Sequence, residues 1–592
     1  MSLQVWLPLT KDLRQQGLSN VTVTNNGATF NSAGKLGGCY EFASGKRIQT
    51  TLPSTSNLNS KAISFACWVN VPSWNSSYDC LMSIADGTGW QQSRATLCRN
   101  NTASTLCWNI ADGSTSTRVY TTTSLSTNTW YHIACTYDGA SLKIYVNGTL
   151  NNSAAATLNI GYAGTFNIGG WSGNNYPINC KMNDVRVYSH CLSPMEVKEL
   201  AKGLVLHYPL NANSTYTSLI DANAGYNVYN NFGSDVTTLL AATGENFMGA
   251  PVRRLTMTIK NSSRVNSFKT ELWSHGVYNW SRTFLANTKY CFWIYYKPVT
   301  HTDIRVGGTA SNISGWTEIP PEYIGSGWYR VGQYRNGSVT TDKTDSIFVS
   351  FTWASAAVNT PISIDFAYPT LVQGLTEIQP NINYGNSSIM YDCSGFCNNA
   401  DVTGTWNTAN DTPKYQRCMH MSATNSKIHI SNFPTSGFGN SYSFAWWGKR
   451  SSNSPMFWGF SDGIRLNGMY VGTLWNTGDG SNNPIYKPGT TTTITAPSVN
   501  VWHHYVMTGD GTTCKLYVDG VLYGQAKTYK AISGTSIYIN GWDSGTSYCS
   551  DNTDISDFRI YATALSASDV KSLYQNCATI DPDGTIRGHI RS

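Results

Sequence analysis

One stretch of this chain is written twice. Residues 130–148 and residues 502–520 align without a gap, so that Trp130 and Trp502, His132 and His504, Asp138 and Asp510, Gly139 and Gly511, Lys143 and Lys515, Tyr145 and Tyr517, and Gly148 and Gly520 occupy matching places. In each copy a run rich in aromatic and β-branched residues leads into Asp-Gly, and the next run leads into Asn147-Gly148 or Asp519-Gly520. Asn, Asp and Gly tolerate the positive φ that tight hairpin turns require, so each copy is expected to hold an antiparallel meander. A second matched block follows: Asp184, Arg186 and Tyr188 correspond to Asp557, Arg559 and Tyr561, and lead on to Leu192-Ser193 and Leu565-Ser566. Ser193 with Glu196, and Pro194 at the first helical position, form a capping box that opens a short helix; Ser566 with Asp569 is a weaker version. The chain therefore carries two copies of one β-rich domain.

The ordered set Trp-x-His, Asp-Gly, Lys-x-Tyr-Val-x-Gly and Asp-x-Arg-x-Tyr before Leu-Ser resembles the laminin-G-like, concanavalin A-like jelly rolls. The resemblance implies an all-β fold of antiparallel jelly-roll β-sandwiches, each laminin-G-like copy closed by a short helix. It does not imply one activity, because a fold hosts many functions. Copy one is expected at 1–202. Copy two is discontinuous, at 203–215 and 385–575. Leu3–Leu9 and Leu204–Leu210 read as the opening edge strands of the two copies. In copy one the landmark Gly38-Cys39 follows soon after, whereas its counterpart, Arg417-Cys418, arrives only after a domain-sized surplus. The surplus, 216–384, has strand patterns of its own, such as Tyr290–Tyr296 and Ile362–Ala367. Its last pattern resembles the final strand of jelly-roll carbohydrate-binding modules, so a third, inserted sandwich of that kind is expected. Residues 576–592 read as a hairpin around Asp581-Pro582-Asp583-Gly584, a tail that resembles terminal docking elements of bacteriophage tail-associated proteins.

Composition narrows the chemistry. Of 592 residues only 12% are charged while 12% are aromatic, and the net charge of +6 is spread without a Lys/Arg cluster, so nucleic acid is not an expected partner. No apolar stretch reaches the length of a membrane span, so membrane insertion is not expected either. The start is already strand-like and shows no signal peptide, which favours assembly into a particle, a virion made in the host cytoplasm, over export. Of the 15 cysteines, Cys67, Cys135, Cys291 and Cys514 sit inside strand patterns, and Cys67 and Cys135 align with Trp446 and Met507, so the cysteines read as free, mostly buried thiols. Cys393 and Cys397 lack the second Cys/His pair a zinc site needs. Glycosidases of this sandwich class need paired carboxylates flanking the scissile bond. The chain has only eight glutamates, none after Glu377, and no Glu-x-Asp-x-x-Glu run, so it is not expected to be an enzyme. His132 and His504, without a nucleophile motif nearby, read as structural. Asp551, Asp554 and Asp557 read as a solvated turn before the last strand. Asp551 and Asp554 are the metal candidates there, for calcium; no other cofactor is expected.

Binding is the remaining chemistry, and aromatics carry it. Sugars present C–H faces that stack on exposed Trp and Tyr, while Asn and Asp read hydroxyls. The glycan-binding candidates are Trp171, Asn174 and Tyr176 in copy one, and Trp542, Asp543 and Tyr548 at the matching place in copy two. The loop tryptophans Trp90 and Trp475 join them, with Trp273 and Trp280 in the inserted sandwich. For the recurring Trp171 and Trp542, plugging the end of the sandwich is the competing role. The expected function is a non-enzymatic bacteriophage virion protein, in a tail or fibre arm, that binds host cell-surface polysaccharide. Its other partners would be virion proteins and copies of itself, a trimer among the options. A purely structural capsid or tail decoration protein, a bacterial surface adhesin or lectin, and a polysaccharide-degrading enzyme are the alternatives, the last disfavoured by the glutamate census.

Overall fold

The structure is a computed structural model. It describes the chain from Leu3 to Ile590 apart from short stretches, the longest being 14–20, 53–60, 218–226, 262–267, 274–280, 374–381, 410–417, 461–467, 477–483 and 542–551. Among the described residues nearly all regular structure is antiparallel strand, with two short α-helices, Pro194–Ala201 and Ala567–Gln575. Two compact units form: Met1–Pro209 with Asp392–Thr405 and Met421–Ser592, and Leu210–Tyr391 with Trp406–His420.

The first unit holds two sandwiches. In the earlier one, an eight-stranded sheet runs in the order Thr149–Ala155, Ser141–Val146, Trp130–Tyr137, Ile63–Ser73, Asn179–Tyr188, Gly37–Phe42, Thr29–Gly34, and Leu3–Leu7 also pairs with Asn179–Tyr188. A seven-stranded sheet runs Ser116–Tyr120, Leu106–Ala111, Ser93–Arg99, Cys80–Ala85, Thr165–Ile168, Arg47–Thr51, Val23–Asn26. Their inner faces share one apolar core in which Phe65 meets Trp108 and Phe166 at ring-centroid distances of 5.1 and 5.5 Å. Burying each such side chain contributes about 1.5–3 kcal/mol. The later sandwich repeats the pairing: Thr553–Tyr561, Tyr442–Arg450, His503–Gly509, Cys514–Val518 and Val521–Ala526 are successive neighbours, and Leu204–Tyr208 pairs with Thr553–Tyr561. The expected turns are in place. Asn147 and Gly148 have φ of 50° and 80°, Asp519 and Gly520 of 52° and 79°. Both capping boxes close: Ser193 Oγ accepts from Glu196 N while Ser193 N donates to Glu196 Oε2, and Ser566 and Asp569 exchange the same pair of bonds.

The Asp-x-Arg-x-Tyr repeat marks a buried charge cluster. Asp184 and Asp557 sit at φ of 55° and 53°, in the left-handed region that Asn, Asp and Gly enter most readily, and each marks a register shift in its strand. The bulge turns the carboxylate into the sandwich. Asp184 Oδ1 accepts from Trp6 Nε1 and from Arg186 Nε, both at 2.8 Å, and the Arg186 guanidinium lies 4.2 Å from the Trp6 ring centroid. Asp557 Oδ1 accepts from Arg559 Nε at 2.8 Å and lies 2.9 Å from His207 Nε2. This corrects one expectation. Asp554 and Asp557 do not lie in a solvated turn; they are buried inside the strand Thr553–Tyr561, because Asp557 has a cation and an imidazole to face and Asp554 Oδ2 has Lys449 Nζ at 3.4 Å. The opening strands each pair with one strand, as edge strands do, and all five residues of Leu3–Leu7 and of Leu204–Tyr208 are nonetheless buried.

The two sandwiches of this unit meet at backbone distance. The hairpin turn after Thr29–Gly34 lies against the short 3₁₀ turn Thr435–Gly437, where a Cβ on Gly437 would stand 1.5 Å from Gly34 O. Lys198 Nζ reaches Asp569 Oδ1 at 2.7 Å, and Thr563 Oγ1 donates to Lys202 O at 2.7 Å. The obstruction at Gly437 is backbone and cannot swing aside, so Gly437→Ala should cost about 1–3 kcal/mol of overpacking. A urea unfolding midpoint unchanged by that substitution would show that the two turns do not bear on each other.

The second unit is also β. Val236–Phe247, Ala250–Ile259, Pro361–Gln373, Lys289–Pro298, Trp328–Asn336 and Trp316–Gly325 form a six-stranded sheet whose buried residues include Phe292, Trp293, Val331, Ile364 and Phe366. Phe268–Trp273 and Arg305–Ala310 pair with Lys343–Trp353 in another sheet. Arg254 grips Asp365 through Nε and Nη2 at 2.7 and 2.8 Å. At the chain's end Asn576–Ile580 pairs antiparallel with Ile586–Ile590, the hairpin expected there.

Candidate functional site

The outer face of the seven-stranded sheet gathers aromatics from three separate stretches. Cross-strand register starts the site: Cys80 stands opposite Cys98, and Cys98 opposite Cys107. All three are fully buried, and burial pushes the thiols of Cys80 and Cys98 upward, so they are protonated and unreactive. They form an apolar floor. Trp171 packs on it and donates from Nε1 to Ser93 Oγ at 2.5 Å. Around Trp171 stand Trp90, at 5.0 Å between ring centroids, and Tyr176, at 5.4 Å; Tyr78 closes the ring at 5.7 Å from each of these two. Arg118 lies 4.9 Å from the Trp90 ring centroid.

Local chemistry fixes these positions. Asn109 Nδ2 donates to Trp90 O and Ser93 O, which holds the loop that carries Trp90. Tyr176 has φ of 50°, and its carbonyl accepts from Cys80 N at 2.9 Å, so its turn is tied to the sheet edge. Trp90, Tyr78 and Tyr176 are half-buried and Arg118 is exposed. The patch therefore offers aromatic rims with a fork of N–H donors beside them, a combination suited to the C–H faces and hydroxyls of a sugar.

Three of the sequence candidates, Trp90, Trp171 and Tyr176, thus come together. Trp171 is 1% exposed, presents no face to solvent and acts as the support for the other two. Tyr78 and Arg118 were missed, and only the strand register could have brought them in. Asn174, Trp542, Asp543, Tyr548, Trp280 and Asp551 lie outside the described residues. Trp475, expected in a loop, pairs as a two-residue strand Trp475–Asn476 with Gly468–Met469. Trp273, expected ahead of a strand, is the last residue of Phe268–Trp273 and stands opposite Asn227. Asp554 is engaged by Lys449. Among the described residues no group of three or more His, Cys, Asp or Glu side chains is placed to hold a metal ion, and no helix is long and apolar enough to cross a membrane.

The family model of the concanavalin A-like lectin/glucanases superfamily matches residues 44–198 and 422–571, together just over half of the chain. The chain belongs to that superfamily. Its two matched segments contain the repeated hairpins and the Asp-x-Arg-x-Tyr motifs, and the first contains the whole aromatic patch. No curated protein matches the chain. Among solved structures it is similar to domain 4 of AbnA, a GH43 extracellular arabinanase from Geobacillus stearothermophilus, in complex with arabinotriose, at 18% identity and TM-score 0.28, covering 34% of this chain and 100% of that one. It is also similar to a botulinum neurotoxin type C structure whose cell entry is described as dependent on two ganglioside molecules, at 14% identity and TM-score 0.28, covering 60% and 94%. The binding domain of botulinum neurotoxin DC in complex with SialylT is similar at 12% identity and TM-score 0.28, covering 60% and 94%. At this level of similarity none of these assigns an activity.

Proposed function

We propose that this chain is a non-enzymatic glycan-binding protein of a bacteriophage virion, a tail or fibre arm that contacts host cell-surface polysaccharide. The observation that carries the binding reading is the convergence of Trp90, Tyr78 and Tyr176 beside Arg118 on a rigid sheet. Binding without hydrolysis is favoured by the surroundings of the patch. The carboxylate next to Tyr78 in the chain, Asp79, is buried and accepts from Asn75 N at 2.7 Å, and a glycosidase needs two carboxylates across the bond. The proposed modules are 1–202, 203–215 with 385–575, and the inserted 216–384, followed by the tail 576–592. The virion placement is supported by the linker-free contact of the two superfamily sandwiches, which suits an arm that transmits position, and by the terminal hairpin, which would dock on other virion subunits or on copies of this chain. No cofactor is required by this reading.

The test is binding of the full-length chain to a panel of bacterial surface polysaccharides. Trp90→Ala should weaken saturable binding about tenfold, the loss of roughly one aromatic stacking contact. Arg118→Ala, at an exposed position that does not risk the fold, should weaken it as well. Wild-type chain that binds no glycan, or binding that both variants leave intact, would overturn the reading.

A further inference from the structure

A second site lies where the two superfamily sandwiches of the first unit meet. The turn residue Lys35, the tryptophans Trp68 and Trp130, the helix Pro194–Ala201 and the segment Thr563–Leu565 enclose a notch of about 310 Å³. That is the lower end of the range for small-molecule sites, about 300–1,000 Å³. Its charges are unevenly satisfied. Lys198 pairs with Asp569, and Lys202 pairs with Glu199. Lys35 is 9% exposed and, among the described residues, has no carboxylate within ion-pair distance; the Trp68 ring centroid lies 5.5 Å from its Nζ. Burial alone pulls its ammonium down to about 8. Trp68 adds a second unsatisfied group, an Nε1–H that is buried without an acceptor. A covered cation without a counter-ion is costly, and an orphaned buried donor adds to the cost. The cost at Lys35 is relieved by one kind of occupant, an oxyanion. Trp130, half-buried at the rim, supplies an aromatic wall next to it.

We infer that this notch is an anion site, in which the Lys35 ammonium takes the carboxylate of an acidic sugar residue and Trp130 takes the sugar ring. The site is separate from the aromatic patch around Trp90 and stands whether or not that patch binds glycan. Its chemistry, a single oxyanion on a single ammonium, is shared by free sulfate and phosphate, so the probes must separate the sources.

The experiment uses the full-length chain carrying both Trp90→Ala and Arg118→Ala, so that the aromatic patch lacks its rim tryptophan and its cation, titrated at pH 7 with glucuronate, glucose, inorganic sulfate and inorganic phosphate. Glucuronate is expected to bind with saturation, more tightly than sulfate or phosphate, while glucose does not. Lys35→Met should weaken glucuronate at least tenfold and Lys35→Arg less than threefold. Lys35→Met removes an unpaired buried charge, so it should melt no lower than its parent, which keeps a lost signal from being a lost fold. As a second readout, acylation of Lys35 at pH 8, followed by peptide mass spectrometry, should be slowed by glucuronate. Sulfate or phosphate bound as tightly as glucuronate would overturn the acidic-sugar assignment. Equal binding of every probe to the parent and to Lys35→Met, or no binding at all, would overturn the site itself.

Discussion

Arg186→Met should destabilise the first sandwich by about 3–5 kcal/mol, the cost of leaving a buried charge without its partner. Arg186 and Asp184 are both nearly inaccessible, and the pair is held by the 2.8 Å contact from Nε and by the Trp6 indole on the same carboxylate oxygen. Methionine matches the length of the arginine stem, so little packing is lost and the effect reports charge. Asp184 would then keep one hydrogen bond, from Trp6, to carry a full negative charge inside an apolar sandwich. Adding Asp184→Asn to Arg186→Met should recover a large part of the loss, because asparagine keeps the acceptor for Trp6, tolerates the left-handed backbone and removes the charge. The second sandwich supplies an internal comparison. There His207 stands where Trp6 stands in the first, and an imidazole can carry a compensating positive charge that an indole cannot. Arg559→Met should therefore cost less than Arg186→Met when both are measured by urea unfolding. A loss below about 1 kcal/mol for Arg186→Met would mean that the cluster is solvated and that the ion pair contributes as little as an exposed one.

The parts of this molecule that sequence made legible are those whose chemistry is local. Asn147-Gly148 and Asp519-Gly520 announce their turns because positive φ is a property of the residues themselves, and Ser193 with Glu196 announces a helix start for the same reason. Asp184 and Asp557 were equally visible as a repeat, yet their role was not. The partners that make them buried, Trp6 and His207, are 178 and 350 residues away in the chain. Without those partners an aspartate beside a strand, Asp554 or Asp557, reads as part of a solvated turn. The aromatic patch was half legible. Trp90, Trp171 and Tyr176 stand out singly, but Tyr78 and Arg118 join them only through the register that sets Cys80, Cys98 and Cys107 side by side. Lys35 had no signal at all. A lysine between glycines in a hairpin turn belongs in water, and it is covered here only because a turn of the other sandwich lies against it. Long-range contact decides each of these cases, and a local pattern carries no information about it.

Acid should weaken the first sandwich more steeply than its carboxylates alone would require, and His132 is the cause. Its imidazole is fully buried beside Trp68, at 5.4 Å between ring centroids, and neither ring nitrogen has a hydrogen-bond partner. Burial, aided by the nearby Arg186 charge, pushes it down from the ordinary 6.5 to about 3. Between those two pH values the unfolded chain holds a proton on this residue and the folded chain does not. The stability that His132 contributes is thus fully present above about pH 6.5 and is lost as pH falls toward 3, by about 4–5 kcal/mol at the limit. His132→Leu, close to isosteric and unable to titrate, should change stability at pH 7 by less than about 1.5 kcal/mol. It should also flatten the decline between pH 6 and pH 3.5 when denaturation midpoints are compared across that range. Parallel declines in wild type and variant would show that the imidazole reaches a proton in the folded state. The two clusters are coupled: removing the Arg186 charge lets His132 accept a proton more readily, so Arg186→Met should make the acid decline smaller and end it at a higher pH, even as it lowers stability at pH 7. The double variant would then depart from additivity, as expected of groups that share one buried field.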